Sequence, residues 1–143
     1  MAKIVYSACY GGFGLSEEAI YRYAEIKGLT LYPETEHGLT VYWTVPESER
    51  TGTLKGDAWY RASQAERIAA NKRYTELTLS DRDIPRHEPA LAQVVEELGD
   101  KANGRFAKLR IEEIPSGSLY RIEEYDGFES IARPETDQWE IAP

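Results

Sequence analysis

Cys9-Tyr10-Gly11-Gly12-Phe13-Gly14-Leu15-Ser16 joins a short apolar run to a helical pattern, and its three glycines constrain the chain more than any other stretch. Lys3–Cys9 reads as a strand. Ser16 reads as an N-cap, with Glu17 and Glu18 in the first turn, where the helix dipole favours acids. Leu15 and Ile20 stand at the spacing of a hydrophobic staple. Ala19, Ile20, Tyr23 and Ala24 form an apolar face, and Gly28 stops the helix. Glycines in such a place bring backbone close to something, either a ligand or another chain segment. A phosphate can be cradled by free N–H groups at a helix start. No Lys-Ser/Thr pair follows the glycines, however, and Glu17 stands where a dinucleotide fingerprint places Gly or Ala. Glu17 and Glu18 also repel an anion on the helix axis. Both a structural turn and a nearby ligand site remain open.

The pattern further along predicts a strand over Leu29–Tyr32, stopped by Pro33, and a turn at His37-Gly38. Leu39–Val45 alternates as a half-buried strand and completes a hairpin with it. Residues 46–56 are a polar loop. Asp57–Lys72 is helix-prone, and Tyr74–Leu79 alternates like a strand. Ser80–Pro89 is irregular. Leu91, Val94, Val95 and Leu98 place a helix between Pro89 and Gly99. Arg105–Ile114 reads as a strand, Pro115–Ser118 as a turn. Leu119–Tyr125 and Phe128–Ala132 flank Asp126-Gly127, a strong hairpin signal. Thr136–Ile141 is expected to add an edge strand. Helices and strands do not alternate regularly, so the expected class is α+β, a mostly antiparallel sheet with about three helices and a C-terminal β-hairpin region.

A chain of 143 residues is expected to form one domain, 1–143, large enough to fold without a metal or disulfide. A single cysteine and no apolar run of membrane length lead to the expectation of a soluble cytoplasmic protein. The net charge is −8, and residues 73–143 carry sixteen acidic against nine basic side chains. That balance excludes a nonspecific partner for free nucleic acid. It permits docking on a basic groove of another protein. Ten tyrosines and three tryptophans suit both cores and binding surfaces.

Catalytic signatures are sparse. Cys9 as a nucleophile needs a base, and His87 is the one credible partner, since His37 lies in a turn. One cysteine and two distant histidines make no zinc site, and no calcium-loop pattern is present, so no metal and no cofactor are expected. Glu112/Glu113 and Glu123/Glu124 are adjacent in strands and are expected to point to opposite faces, at most one of each pair to solvent. A polar set stands out against the acidic background: Asn71, Lys72 and Arg73; Arg86 and His87; Asn103 and Arg105. If these groups converge, with Tyr10, Trp43 or Tyr60 stacking, they hold a nucleotide-like ligand; otherwise they are helix-end charges and salt-bridge partners. The candidate binding set is Tyr10, Gly11, Gly12, Arg73, Arg86, His87, Asn103 and Arg105.

Several stretches resemble a group of small phage and prophage proteins. They are Cys9–Ser16, Ile84-Pro-Arg-His-Glu-Pro89 before the Leu/Val helix, Glu96-Glu-Leu-Gly99 with Lys101-Ala-Asn-Gly104, Ala107-Lys-Leu109, Ile114-Pro115 and Ile122-Glu-Glu-Tyr-Asp-Gly127. Trp139 corresponds to a tryptophan near the end of such proteins. The resemblance covers the N-terminal quarter and residues 84–127, and not residues 46–80. It implies a viral accessory role, in which small proteins bind a host protein or a nucleotide signal of host immunity. The expected function is therefore a non-enzymatic, anti-defence accessory protein, oligomeric in form, that sequesters a small phosphorylated or nucleotide-like ligand. The alternatives are an acidic inhibitor docking on a host protein and a Cys9-dependent enzyme.

Overall fold

Seven strands and four helices follow one another in the computed structural model, which describes residues 1–136 and 139–143. In order they are β1 (Ala2–Ser7), α1 (Glu17–Ile26), β2 (Tyr32–Glu36), β3 (Leu39–Trp43), α2 (Asp57–Arg61), α3 (Gln64–Leu77), β4 (Thr78–Leu79), α4 (Pro89–Leu98), β5 (Leu109–Ile114), β6 (Arg121–Tyr125) and β7 (Phe128–Ala132). All strand pairs are antiparallel, in three small sheets: β1-β5, β2-β3-β4 and β6-β7. The fold is α+β with a C-terminal hairpin. The chain divides into two units, Met1–Lys27 with Ile84–Pro143, and Gly28–Asp83.

In the first unit, β1 pairs with β5 from Ala2↔Ile114 to Ser7↔Leu109. Successive residues Ile4 and Val5 are both fully buried, so both faces of β1 are covered. α1 and α4 supply the rest of the core through Ala19, Ile20, Tyr23, Leu91 and Val94. The Ser16 cap forms as expected, its Oγ accepting the Ala19 N–H at 3.1 Å. Arg22 on α1 reaches α4, donating to both carboxylate oxygens of Glu97 at 2.7 and 3.1 Å. The Asp126-Gly127 turn has φ of +50° and +88°, as a tight hairpin with right-handed strand twist requires. β5 begins only at Leu109, because Gly104–Ala107 closes a turn with the Ala107 N–H bonded to the Gly104 carbonyl. Glu112, Glu113, Glu123 and Glu124 are all exposed, against the expectation of at most one per pair.

The second unit departs further from expectation. β2 runs over Tyr32–Glu36 and includes Pro33, which an edge strand tolerates. The helix expected over 57–72 breaks at Ala62, which is extended, and Ser63 caps a new helix through a complete capping box with Glu66. α3 then continues to Leu77, replacing the strand expected over 74–79 except for Thr78-Leu79. Ala70, Tyr74 and Leu77 recur at i, i+4 and i+7, and Ala70 and Leu77 are buried. Of the edge strand expected over 136–141, residues 137–138 lie outside the described residues, and Trp139–Ile141 form no strand.

Candidate functional site

The glycine segment is pressed against the protein's own backbone. A Cβ on Gly11 would stand 1.9 Å from the Phe106 carbonyl oxygen, and one on Gly127 would stand 2.1 Å from that of Tyr10. Gly104 meets Gly14 in the same way, at 2.7 Å from its carbonyl carbon. Residues 10–14 thus touch both the 104–106 turn and the 126–127 turn. Polar bonds fix this junction. The buried Ser7 hydroxyl donates to the Gly12 carbonyl at 2.9 Å and accepts the Lys108 N–H at 3.2 Å. The Ser16 hydroxyl donates to the Lys101 carbonyl at 2.6 Å, and the Gly104 N–H to the Gly14 carbonyl at 2.9 Å.

Arg86 and His87, singled out from the sequence, have structural partners. Arg86 makes a two-pronged pair with the buried Glu129 at 2.7 and 2.8 Å and lies 3.6 Å over the Phe13 ring. Its backbone carbonyl accepts the Val5 N–H at 2.9 Å, while Glu129 accepts the Ser7 N–H at 2.8 Å. Together they close the edge of β1 that β5 leaves open. His87 Nδ1 bonds the Tyr120 hydroxyl at 2.6 Å, and burial pushes that phenol up from its ordinary value. Asn103 Oδ1 accepts the Leu109 N–H at 2.9 Å and starts β5. Cys9 Sγ donates to the Phe106 carbonyl at 2.8 Å, so the thiol and His87 bond to different partners. Tyr10, Gly11, Gly12, Asn103 and Arg105 do come together around the junction, where Tyr10 and Arg105 are exposed. Arg73 belongs to the other unit.

That unit contains a pocket of about 320 Å³, lined by Glu34, Val41, Trp43, Arg50, Lys55 and Tyr74 among others. β3 delivers Trp43, and the Thr44 N–H bonds the Leu77 carbonyl at 2.8 Å, tying the strand to the end of α3. Pro46 then opens a short 3-10 turn over Glu47–Glu49. The returning chain lays the Arg50 guanidinium 4.3 Å over the Trp43 ring. Tyr74 stands edge-on to the same indole at 5.3 Å. Arg73 holds this wall from behind: its Nε donates to the Thr51 carbonyl at 3.1 Å, and its stem packs on Gly52.

No protein-family model, no curated protein and no solved structure matches the chain.

Charge in the pocket is organised around Glu34. It pairs with Arg50 Nη1 at 2.8 Å and with Lys55 Nζ at 3.6 Å. Burial first, and then the Glu34 charge, raises the Tyr74 phenol above its ordinary value. Two donors on this wall have no acceptor among the described residues: the indole Nε1–H of Trp43 and the Nε–H of Arg50. Trp43 is 7% exposed, and the Arg50 side chain 13%. Among the described residues, no group of three His, Cys, Asp or Glu could hold a metal ion. Sequence reading named Trp43 as a stacking residue and passed over Glu34, Arg50, Lys55 and Tyr74. The one available signal was a polar loop directly after an aromatic strand, the usual place for binding residues on a fixed scaffold.

Proposed function

We propose that the protein is a non-enzymatic binder of a small phosphorylated or nucleotide-like ligand, and that the Trp43–Arg50–Tyr74 pocket holds it. The two N–H donors without acceptors carry this reading. A buried donor left unpaired costs about 1–3 kcal/mol, and both atoms are closed to solvent, so a ligand acceptor recovers that cost by a shift of the wall around Trp43 and Arg50. Phosphate suits a guanidinium fork, and Lys55 adds a second positive charge at the pocket mouth, its side chain 79% exposed. Val41, Leu54 and Tyr74 offer apolar contact to a planar ring. Small-ligand pockets begin at about 300 Å³, so this one fits a ligand of mononucleotide size. Binding the ligand would displace Glu34 from its two cations or be bridged by them beside it.

Sequestration of such a ligand fits an accessory role of the kind that the phage resemblance implies, in which a host signal is removed rather than processed. Heat-denaturing the purified protein and analysing the supernatant by mass spectrometry tests the reading. It should release a phosphorylated small molecule, or the protein should show a thermal shift with a member of a nucleotide panel. No released molecule together with no shift across the panel would overturn it.

A further inference from the structure

The Trp43–Arg50–Tyr74 pocket adjoins a second cavity in the same unit. That cavity, of about 250 Å³, is lined by Thr53, Leu54, Trp59, Ala70, Asn71 and Tyr74. Thr53, Leu54 and Tyr74 line the first pocket as well. The Thr53 hydroxyl donates to the Arg50 carbonyl at 2.9 Å and so fixes the loop that walls both. Tyr74 is 40% exposed, so a ligand lying across it enters both cavities. Their chemistry differs. The first carries charge at Glu34, Arg50 and Lys55. No charged side chain among the described residues lines the second. Its half-buried indole is held in place: Arg67 donates to the Trp59 and Tyr60 carbonyls at 2.8 and 2.9 Å, and its guanidinium lies 5.5 Å over the Trp59 ring. Asn71 brings an exposed amide whose carbonyl and NH2 make no hydrogen bond among the described residues.

We infer that the ligand of the pocket proposed above, on which this rests, is a nucleotide whose base enters the second cavity, and not a phosphorylated sugar. A nucleotide joins a charged phosphate to a neutral aromatic heterocycle, and the two cavities divide in the same way. With the phosphate at Arg50 and Lys55, the base lies against Leu54 and Tyr74 and reaches Trp59. Aromatic side chains accept any base by its π-face. The Asn71 amide, donor beside acceptor on one plane, meets the matching pair that a base presents along its edge. A sugar phosphate would set hydroxyl groups against an indole, a leucine and an alanine, where one amide alone answers them.

Calorimetric titration of the full chain with AMP, GMP, CMP and UMP, beside ribose phosphate, tests this. At least one nucleotide should bind about tenfold or more tighter than ribose phosphate, since stacking of the base is its added contact. Asn71→Leu should weaken that nucleotide about tenfold, the loss of two hydrogen bonds, with the circular dichroism spectrum retained. Asn71 is exposed on α3 and leucine is the better helix former, so this variant folds. Trp59→Leu should weaken the same nucleotide by a similar factor. Nucleotides that bind no tighter than ribose phosphate would overturn the inference, as would an affinity unchanged in both variants. Arg50→Gln separates the two readings: if it weakens every ligand while the base contributes nothing, the pocket stands and the second cavity does not. Absence of binding by all of these phosphates would overturn both.

Discussion

Glycine at position 127 serves contact as much as conformation. Its φ of +88° suits the hairpin turn, and its missing Cβ is the space that the Tyr10 carbonyl fills. Gly28 shares the positive φ, at +70°, and has nothing within 4 Å of its Cβ position. The two separate strain from packing. Gly28→Ala should cost about 1 kcal/mol, the price of a left-handed alanine. Gly127→Ala should cost about 3 kcal/mol, because backbone must move as well. Denaturant midpoints with unchanged slopes would measure both. Equal losses would mean that the junction yields easily. Arg86 is a second residue whose role is defined by its partners. Removing one member of a buried ion pair costs about 3–5 kcal/mol, so Arg86→Ala should fall in that range. Replacing Arg86 by Met and Glu129 by Leu together should still destabilise, because the Ser7 N–H then loses its acceptor. A double variant as stable as wild type would show that closing the β1 edge matters little.

At the scale of elements, helices α1 and α4 are joined across their exposed rims by Arg22 and Glu97. Hydrogen bonding to Arg22, and then to Gln93, lowers the Glu97 carboxyl from 4.5 to about 2. A lowered carboxylate contributes stability that is complete above its unfolded value and is lost as pH falls through the folded one. The stability gap between wild type and Glu97→Gln should therefore hold steady above about pH 4.5 and close between there and about pH 2. Thermal unfolding across that range would check it, and a gap independent of pH would contradict it. The same helices were plain in the sequence. A Ser cap with following acids announced α1, and Pro89, Gly99 and a 3.6-residue period announced α4. The second unit was harder. Alanines and polar residues run through residues 57–77 with little apolar period, so nothing in periodicity separated one helix from two or marked where α3 ended. The informative signal was Ser63-Gln-Ala-Glu66, a capping box inside an apparent helix. Tyr74–Leu79 alternates over six residues, yet Tyr74 and Leu77 follow Ala70 at helical spacing, and the longer pattern won. The pocket was hidden for a related reason. Glu34, Arg50 and Tyr74 are far apart in sequence and meet only because the turn after β3 folds back.

For the molecule as a whole, the acidic excess is unevenly divided. Residues 28–83 carry nine acidic and seven basic side chains, whereas the other unit carries sixteen and ten. The pocket-bearing unit thus carries about a quarter of the net charge of −8, so by its own charge it would repel the proposed anionic ligand only weakly. The most direct measurement of the account is a calorimetric titration of a nucleotide panel against wild type, Arg50→Gln and Lys55→Gln. Lys55 is exposed, so its variant separates loss of binding from loss of folding. At least one phosphorylated member should bind with one site per chain, and each variant should weaken it about tenfold or more, equivalent to about 1.4 kcal/mol. Absence of binding across the panel, or binding that survives both substitutions unchanged, would contradict the assignment of this pocket.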